Sequence, residues 1–392
     1  MEELISYITK IFPSEDLIKS CRMQVMTIED FKVFQNLKDD WHISLKISIE
    51  YDILYDKLYI GSYSDVPDDY KKMFLILSFY KAFGILRSNC NKLDDLIEAI
   101  RILDVGIMIG CNLENCHLIT EFTQKVHDYT IDNYKISYIE SNCFDVKPSS
   151  DEECEISILE NPSIEHFWTN FLHLHRPVKL NNCLNHWPAL EKWKDINYFI
   201  KTSGYRTVPI ELGKTYDDDK WGQSMLKLKD FLRTFVNDED KKNDTKGYLA
   251  QHDLFEQIPA LKNDFHIPDY CAISSIEPVV KSWIGPENTI STMHTDDKHN
   301  LLCQVIGEKL IILAAPNESQ YLYQYDGMLN NTSQVDAEKL DVEKFPLSKN
   351  VKFKRVILKA GEMIYIPKAW WHYCRSLTKS ISVSFWFDID NE

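Results

Sequence analysis

The spacing of apolar positions changes character near the middle of the chain. Leu93, Leu96, Ile97, Ile100, Leu103 and Ile107 recur at helical intervals. Tyr70 to Leu86 is apolar enough to be a buried helix. Residues 1–139 therefore read as a helical domain with no catalytic constellation. Short helical pairs suggest a repeat-like module, but no clean period supports one. Bracing the rest of the chain, ahead of binding a partner, is the expected role. Lys147-Pro148-Ser149-Ser150-Asp151-Glu152-Glu153 combines proline, serine and an acidic run, which marks 140–160 as a linker.

From Pro162 onward, within a second domain spanning 161–392, the pattern is mixed. Ile164 to Leu172 reads as a helix capped near Ser163. Asn237 to Lys246 is charged and reads as a solvated loop. From about Gly247 short strands suit a sandwich or barrel. Leu301 to Ile306 and Leu310 to Ala314 flank a Gly307-Glu308 turn, and Met363 to Ile366 is a buried strand ended by Pro367. In Ser380 to Phe387 small polar and large apolar residues alternate until Trp386, so Ser382, Ser384 and Trp386 share a face. Taken alone this is an ordinary half-buried strand. With a cofactor nearby, its small residues leave room. The excursion Asn317 to Asn350 is placed to form a loop over the mouth of a site.

Candidate chemistry enters with the strand-like run Thr289 to Asp296. Alternate side chains share a face of a strand, so His294 and Asp296 point the same way, about 7 Å apart along it. With His372 they make two imidazoles and one carboxylate, the facial triad of a non-haem Fe(II) oxygenase. A lone His-x-Asp is weak, and more often a turn or a satisfied core histidine. Lys309, alone, reads as a snorkelling surface lysine. Beside iron it is the expected anchor for the distal carboxylate of 2-oxoglutarate.

With these residues in place the chain resembles the JmjC family of Fe(II)/2-oxoglutarate oxygenases over roughly Asn161 to Phe387. The resemblance runs through Arg176-Pro177-Val178, His186-Trp187-Pro188, Arg206 to Gly213, Gly247 to His252, Ile267 to Cys271, Trp283 to Pro286, the metal strand, Asn331 to Asp336, and Ser380 to Phe387. It implies an α+β chain whose C-terminal domain is a double-stranded β-helix of the cupin or jelly-roll type. It also implies His294, Asp296 and His372 as iron ligands. Lys309, with Tyr248 and Ser291, would hold the distal carboxylate of 2-oxoglutarate. Asn300 would sit near its metal-binding end, and Trp386 would close the pocket. Glu211 and Trp283 would face the substrate, a pairing suited to an arginine. By themselves Glu211 reads as an exposed strand carboxylate and Trp283 as a core aromatic. Where many family members carry proline soon after the metal aspartate, this chain has Asp297-Lys298.

The implied reaction consumes dioxygen and 2-oxoglutarate and hydroxylates a C–H bond. An arginyl hydroxylase is the leading reading and a histone methyl-lysine demethylase the second. A non-catalytic peptide-binding module and a cupin metalloenzyme without 2-oxoglutarate are the other classes. Lys309, Asn300 and Tyr248 argue against the last.

Composition narrows the partners. The 392 residues carry a net charge of −16, which disfavours direct nucleic-acid binding and suits a basic protein or peptide substrate. The acidity equally serves solubility. Apolar residues make up 44% and aromatic ones 12%, enough for two packed cores. Ten cysteines show no repeated spacing. Cys111, Cys116 and His117 lack a second half at zinc-finger spacing and are expected to be free. With no signal peptide and no membrane span, the expectation is a soluble, unsecreted protein. Nuclear residence, with some cytoplasmic presence, is implied by the resemblance alone.

Overall fold

A computed structural model describes residues 10–11, 13–21, 23–35, 41–58, 65–89, 92–110, 116–139, 154–213, 221–237 and 245–389. Contacts divide the chain into two compact units. The first takes in Met1–Ser137, Lys201–Val208 and Glu256–Pro259, and the second the remainder.

The described helices of the first unit are α1 (Glu15–Ser20), α2 (Ile28–Gln35), α3 (Trp41–Leu58), α4 (Asp68–Asn89), α5 (Leu93–Gly110) and α6 (Cys116–Asn133). From α3 onward each helix packs on the next. The periodic residues Leu96, Ile100, Leu103 and Ile107 are all buried on α5, which packs on α4. Gly106 permits the close approach of the two helices, because a Cβ there would lie 2.6 Å from Ser78.

At the centre of this unit Arg206 and Asp104 are both fully buried. The guanidinium donates through Nη2 to the carboxylate at 2.7 Å and to the Gln257 carbonyl at 2.8 Å. Its Nη1 reaches Gln124 at 3.0 Å, and the Thr207 amide donates to Asp104 at 2.7 Å. This is the arrangement a buried ion pair needs, with its remaining polar atoms also satisfied. Cys116 is buried and unbridged, and Cys111 lies outside the described residues.

The second unit holds two sheets. The larger has the order β1-β2-β11-β8-β13-β6-β5-β3-β4 and the smaller β10-β9-β12-β7. The strands are β1 (Ser157–Glu160), β2 (Val178–Asn181), β3 (Thr207–Leu212), β4 (Gly222–Lys227), β5 (Gly247–His252), β6 (Val279–Gly285), β7 (Ile290–Thr295), β8 (His299–Ile306), β9 (Glu308–Ala314), β10 (Lys354–Lys359), β11 (Met363–Ile366), β12 (Trp371–Ser376) and β13 (Ser380–Phe387). The whole is α+β, as expected, with the strands folded as two facing sheets.

Alternation on β9 decides the interior. Ile311 and Leu313 join a core with Leu302, Val356, Leu358, Ile364 and Ile366 from both sheets. Leu310, Ile312 and Ala314 face the opposite way, onto Trp371, Tyr373 and the Leu322 and Ala337 side chains of the long excursion. Gly307 makes the β8–β9 turn with φ 77°, and a Cβ there would strike the Lys379 carbonyl at 2.0 Å.

Several local expectations change. The segment expected as a linker lies outside the described residues up to 153, and Ser157–Glu160 within it is a strand paired to β2. Ser163 does cap a helix, accepting from the His166 amide, but the α-helix ends at Phe167 and a π-helical turn carries Trp168–Leu172. Most of the loop expected over 237–246 lies outside the described residues. The excursion after β9 contains three 3-10 turns, and its middle pairs with the outer edge of β7, where Thr332 bridges His294.

Candidate active site

His294 and His372 face each other directly on the adjacent antiparallel strands β7 and β12. On β12, Trp371 and Tyr373 pack outward, so His372 and Cys374 point between the sheets. β7 is less regular. Strict alternation would put Ser291 and His294 on opposite faces, yet both line the same cavity. An irregularity in the β7–β12 register, where three steps on β7 answer two on β12, accounts for it. Asp296 lies one residue beyond β7 and not within it, as plain alternation had placed it. Its carboxylate comes to 3.8 Å from His294 Nε2 and 3.5 Å from His372 Nε2.

The donor atoms of the three residues fall within 4.8 Å of one another. Each imidazole is oriented by a backbone carbonyl. His294 Nδ1 lies 2.6 Å from the Thr292 oxygen, and His372 Nδ1 lies 3.1 Å from the Trp370 oxygen. A carbonyl can only accept, so the protons sit on Nδ1 and both Nε2 lone pairs face Asp296. Burial, then the neighbouring His372, pushes the His294 imidazole down to about 4, so it is neutral in the physiological range. One Asp296 oxygen, Oδ2, is buried without a hydrogen-bond donor. Two imidazole nitrogens and an unsatisfied carboxylate oxygen converging on one point fit a divalent metal.

Lys309 shares the inward parity of Ile311 and Leu313 and is 2% exposed. Its ammonium donates to Tyr248 Oη at 3.3 Å. Among the described residues no carboxylate forms an ion pair with it. Burial pushes the Lys309 ammonium down to about 8. The same cause raises the Tyr248 phenol, which stays protonated. An ammonium without a counter-ion in a buried slot is costly unless a ligand brings the charge. The smaller sheet thus contributes Ser291, His294, Lys309 and His372. The larger contributes Asn300 and Trp386, paired across β8 and β13. Asn300 Oδ1 and Trp386 Nε1 are likewise buried without partners. The Trp386 indole N–H is an open donor and Lys309 an unpaired cation in the lining of one cavity, which suits a carboxylate-bearing ligand.

Glu211 and Trp283 line separate cavities that share Tyr248. The Trp283 indole donates to Ser384 at 3.0 Å and lies beside Lys309, in the wall of the inner cavity. Glu211 opens into an adjoining cavity with Trp221, Tyr248 and Ile290. There Trp221 Nε1 donates to the Glu211 carboxylate at 3.3 Å, and burial raises the affinity of Glu211 for its proton. Trp221 is the aromatic that sequence reasoning missed. Its signal was a bulky indole directly after the charged run Asp217-Asp218-Asp219-Lys220, where nothing apolar is otherwise needed. Cys374 was missed as well, because only the inward face of β12 brings it to the cavity. Ser382 turns to Gln304, which it meets at 2.7 Å, and of the closing strand only Ser384 and Trp386 reach the cavity.

Comparison with known proteins agrees with this geometry. Residues 164–392 match the model of the cupin-like domain family. Over 342 residues the chain is 40% identical to Jumonji C domain-containing protein 5 of Drosophila melanogaster, covering 85% of this chain and 84% of that one. It is 43% identical over 244 residues to lysine-specific demethylase 8 of Xenopus tropicalis, covering 61% and 54%. It is 32% identical over 350 residues to lysine-specific demethylase 8 of Danio rerio, covering 86% and 85%. The chain belongs to the cupin-like JmjC family of 2-oxoglutarate-dependent oxygenases.

Proposed function

We propose that this protein hydroxylates an arginyl side chain of a basic protein or peptide, using Fe(II), 2-oxoglutarate and dioxygen. The observation that carries this reading is Glu211. Its carboxylate is half-buried, its hydrogen-bond partner is one indole N–H, and among the described residues no cation pairs with it. A guanidinium answers that need with parallel N–H donors, and the Trp221 ring beside it offers a face for stacking.

In this reading His294, Asp296 and His372 hold the metal through two Nε2 atoms and a carboxylate oxygen. Lys309 and Tyr248, with Ser291, take the distal carboxylate of 2-oxoglutarate, and Asn300 donates near its metal-binding end. Trp386 and Trp283 wall the slot against water. The slot is narrow, about 20 Å³. With iron held there, dioxygen would be the four-electron oxidant, two electrons coming from 2-oxoglutarate as it becomes succinate and carbon dioxide and two from the substrate C–H bond, so that one oxygen atom enters succinate and the other the substrate. Glu211 and Trp221 choose which carbon is presented, because the adjoining cavity shares Tyr248 with the inner one.

Removal of an N-methyl group from lysine is the second reading, and the names of the Xenopus and Danio relatives favour it. Hydroxylation of such a methyl would release formaldehyde. Nuclear residence, with some cytoplasmic presence, belongs to this proposal too.

Mass spectrometry of arginine-containing and methyl-lysine-containing peptides, incubated with protein, Fe(II), ascorbate and 2-oxoglutarate, separates the readings. One added oxygen on arginine is the expected result. Loss of a methyl from lysine would install the demethylase instead. With iron bound and no succinate formed on any peptide, the chain would be a binding module.

A further inference from the structure

The helical unit holds a second candidate site, remote in sequence from the oxygenase strands. Between α3 and α4 lies a cavity of about 220 Å³. That is below the roughly 300–1,000 Å³ of small-molecule pockets and on the scale of one long side chain. Tyr80 lines it, fully buried, and its hydroxyl has no hydrogen-bond partner. Asp95, from the first turn of α5, lines it too, and its Oδ2 is buried and unsatisfied. Ser44 and Ser48 add hydroxyls one turn apart on α3. Lys81 also lines the cavity, but its ammonium is engaged by Asp52 at 3.0 Å and by the Tyr51 ring at 4.1 Å.

Buried polar atoms without partners are uncommon and call for a reason. Here a carboxylate oxygen, a phenol and two hydroxyls can all accept, around one opening. The rim points to what brings the missing donor. Trp41, Leu45 and Ile49 follow each other at four-residue steps on α3 and are 66%, 49% and 40% exposed. At about 100° per residue, Ser48 falls roughly 20° from Trp41 and 60° from Leu45 around the helix. An apolar stripe therefore runs along the edge of a cavity lined by acceptors. The chain as a whole carries −16, which draws positively charged segments towards it.

We infer that the α3–α4 cavity is a docking site for a basic side chain, lysine or arginine, carried on an apolar segment of a partner protein. The cation enters between Asp95 and Tyr80, and the apolar neighbours of the basic residue cover Trp41, Leu45 and Ile49.

The test uses the full chain and fluorescence anisotropy. The probe is a fluorescein-labelled amphipathic peptide of leucine and alanine with a single lysine. Its control carries norleucine in place of that lysine. The lysine peptide should bind, and the norleucine peptide should bind about tenfold more weakly or worse. Asp95→Asn should weaken the lysine peptide by about tenfold, and Tyr80→Phe by a smaller factor. Tyr80→Phe keeps the ring, so its packing against Phe31, Phe34 and Phe79 and its thermal unfolding should be unchanged. Glu211→Ala should leave this binding intact. No binding by the wild-type chain, equal binding of the norleucine peptide, or insensitivity to both Asp95→Asn and Tyr80→Phe overturns the proposal. Sensitivity to Glu211→Ala alone overturns it as well, since the peptide would then be in the oxygenase cavity.

Discussion

Two buried polar clusters, one in each unit, are completed in opposite ways. In the helical unit, Arg206 and Asp104 are fully buried, and their charges and neighbouring polar groups are met by Gln124, Thr207 and the Gln257 carbonyl. In the oxygenase unit, Asp296 Oδ2, Asn300 Oδ1 and Trp386 Nε1 are buried with no partner, and Lys309 has only a phenol. Both arrangements oppose the ordinary cost of desolvation. The first offsets that cost internally, so it contributes to one well-defined core. The second leaves it standing until a ligand arrives. A polar cluster that closes on itself is architecture, and one that stays open towards a cavity is a site.

The contrast is sharpest at the metal cluster. His294→Ala should abolish turnover that depends on Fe(II) while the unfolding transition moves little, checked by succinate release and thermal denaturation. Retained turnover would remove His294 from the ligand set. Arg206→Ala should do the reverse and cost roughly 3–5 kcal/mol of stability, because it strands the Asp104 carboxylate. Replacing Arg206 and Asp104 together by apolar residues of similar size should recover much of that loss in urea unfolding.

A third substitution inverts the sign. Lys309→Met should raise the KM for 2-oxoglutarate by about 10–100-fold, the worth of a charge-assisted contact. It should also stabilise the ligand-free protein by roughly 1–3 kcal/mol, because a buried unpaired ammonium disappears. Destabilisation by Lys309→Met would mean that the slot is closed like the Arg206 network. Glu211→Ala should lower peptide-coupled turnover about tenfold while uncoupled 2-oxoglutarate decarboxylation falls much less. Equal losses would count against substrate holding.

The smallest effect is a pH dependence. Burial holds Lys309 down to about 8, against roughly 10.4 for a free lysine. Between those values the unfolded chain binds more protons than the folded one. Lys309 therefore penalises the ligand-free fold below about 8, and the penalty is relieved as pH rises from there towards 10.4. Grip on the distal carboxylate should weaken over the same window, read as a KM for 2-oxoglutarate that climbs above pH 8 while Lys309→Met shows no such climb.

Much of this was legible beforehand because it is local. A period of two or of 3.6 is imposed by backbone geometry, so α5, β8, β9, β11 and β13 emerge near their expected bounds. His294 and Asp296 are legible because parity on a strand is a short-range property. The failures come where parity slips or distant segments meet. The irregularity in β7 turns Ser291 and His294 inward together, and no period predicts it. Ser382 shares a face with Ser384 on paper, yet Gln304 of the neighbouring strand captures its hydroxyl. Trp221 and Glu211 are ten positions apart, one just before β4 and the other on β3, and only the fold of that sheet makes one the partner of the other.

By itself, then, the sequence determined the class of most segments and a candidate metal-ligand trio with a lysine fifteen positions beyond its first histidine. These follow from covalent spacing and the repeat of the backbone. Tertiary structure decided that His372 faces His294, that Trp283 belongs to the inner cavity and Trp221 to the outer, and that Arg206 is satisfied where Tyr80 and Asp95 are not. Those outcomes depend on which polar atoms, far apart along the chain, find one another when water is removed, and spacing along a chain carries no record of that.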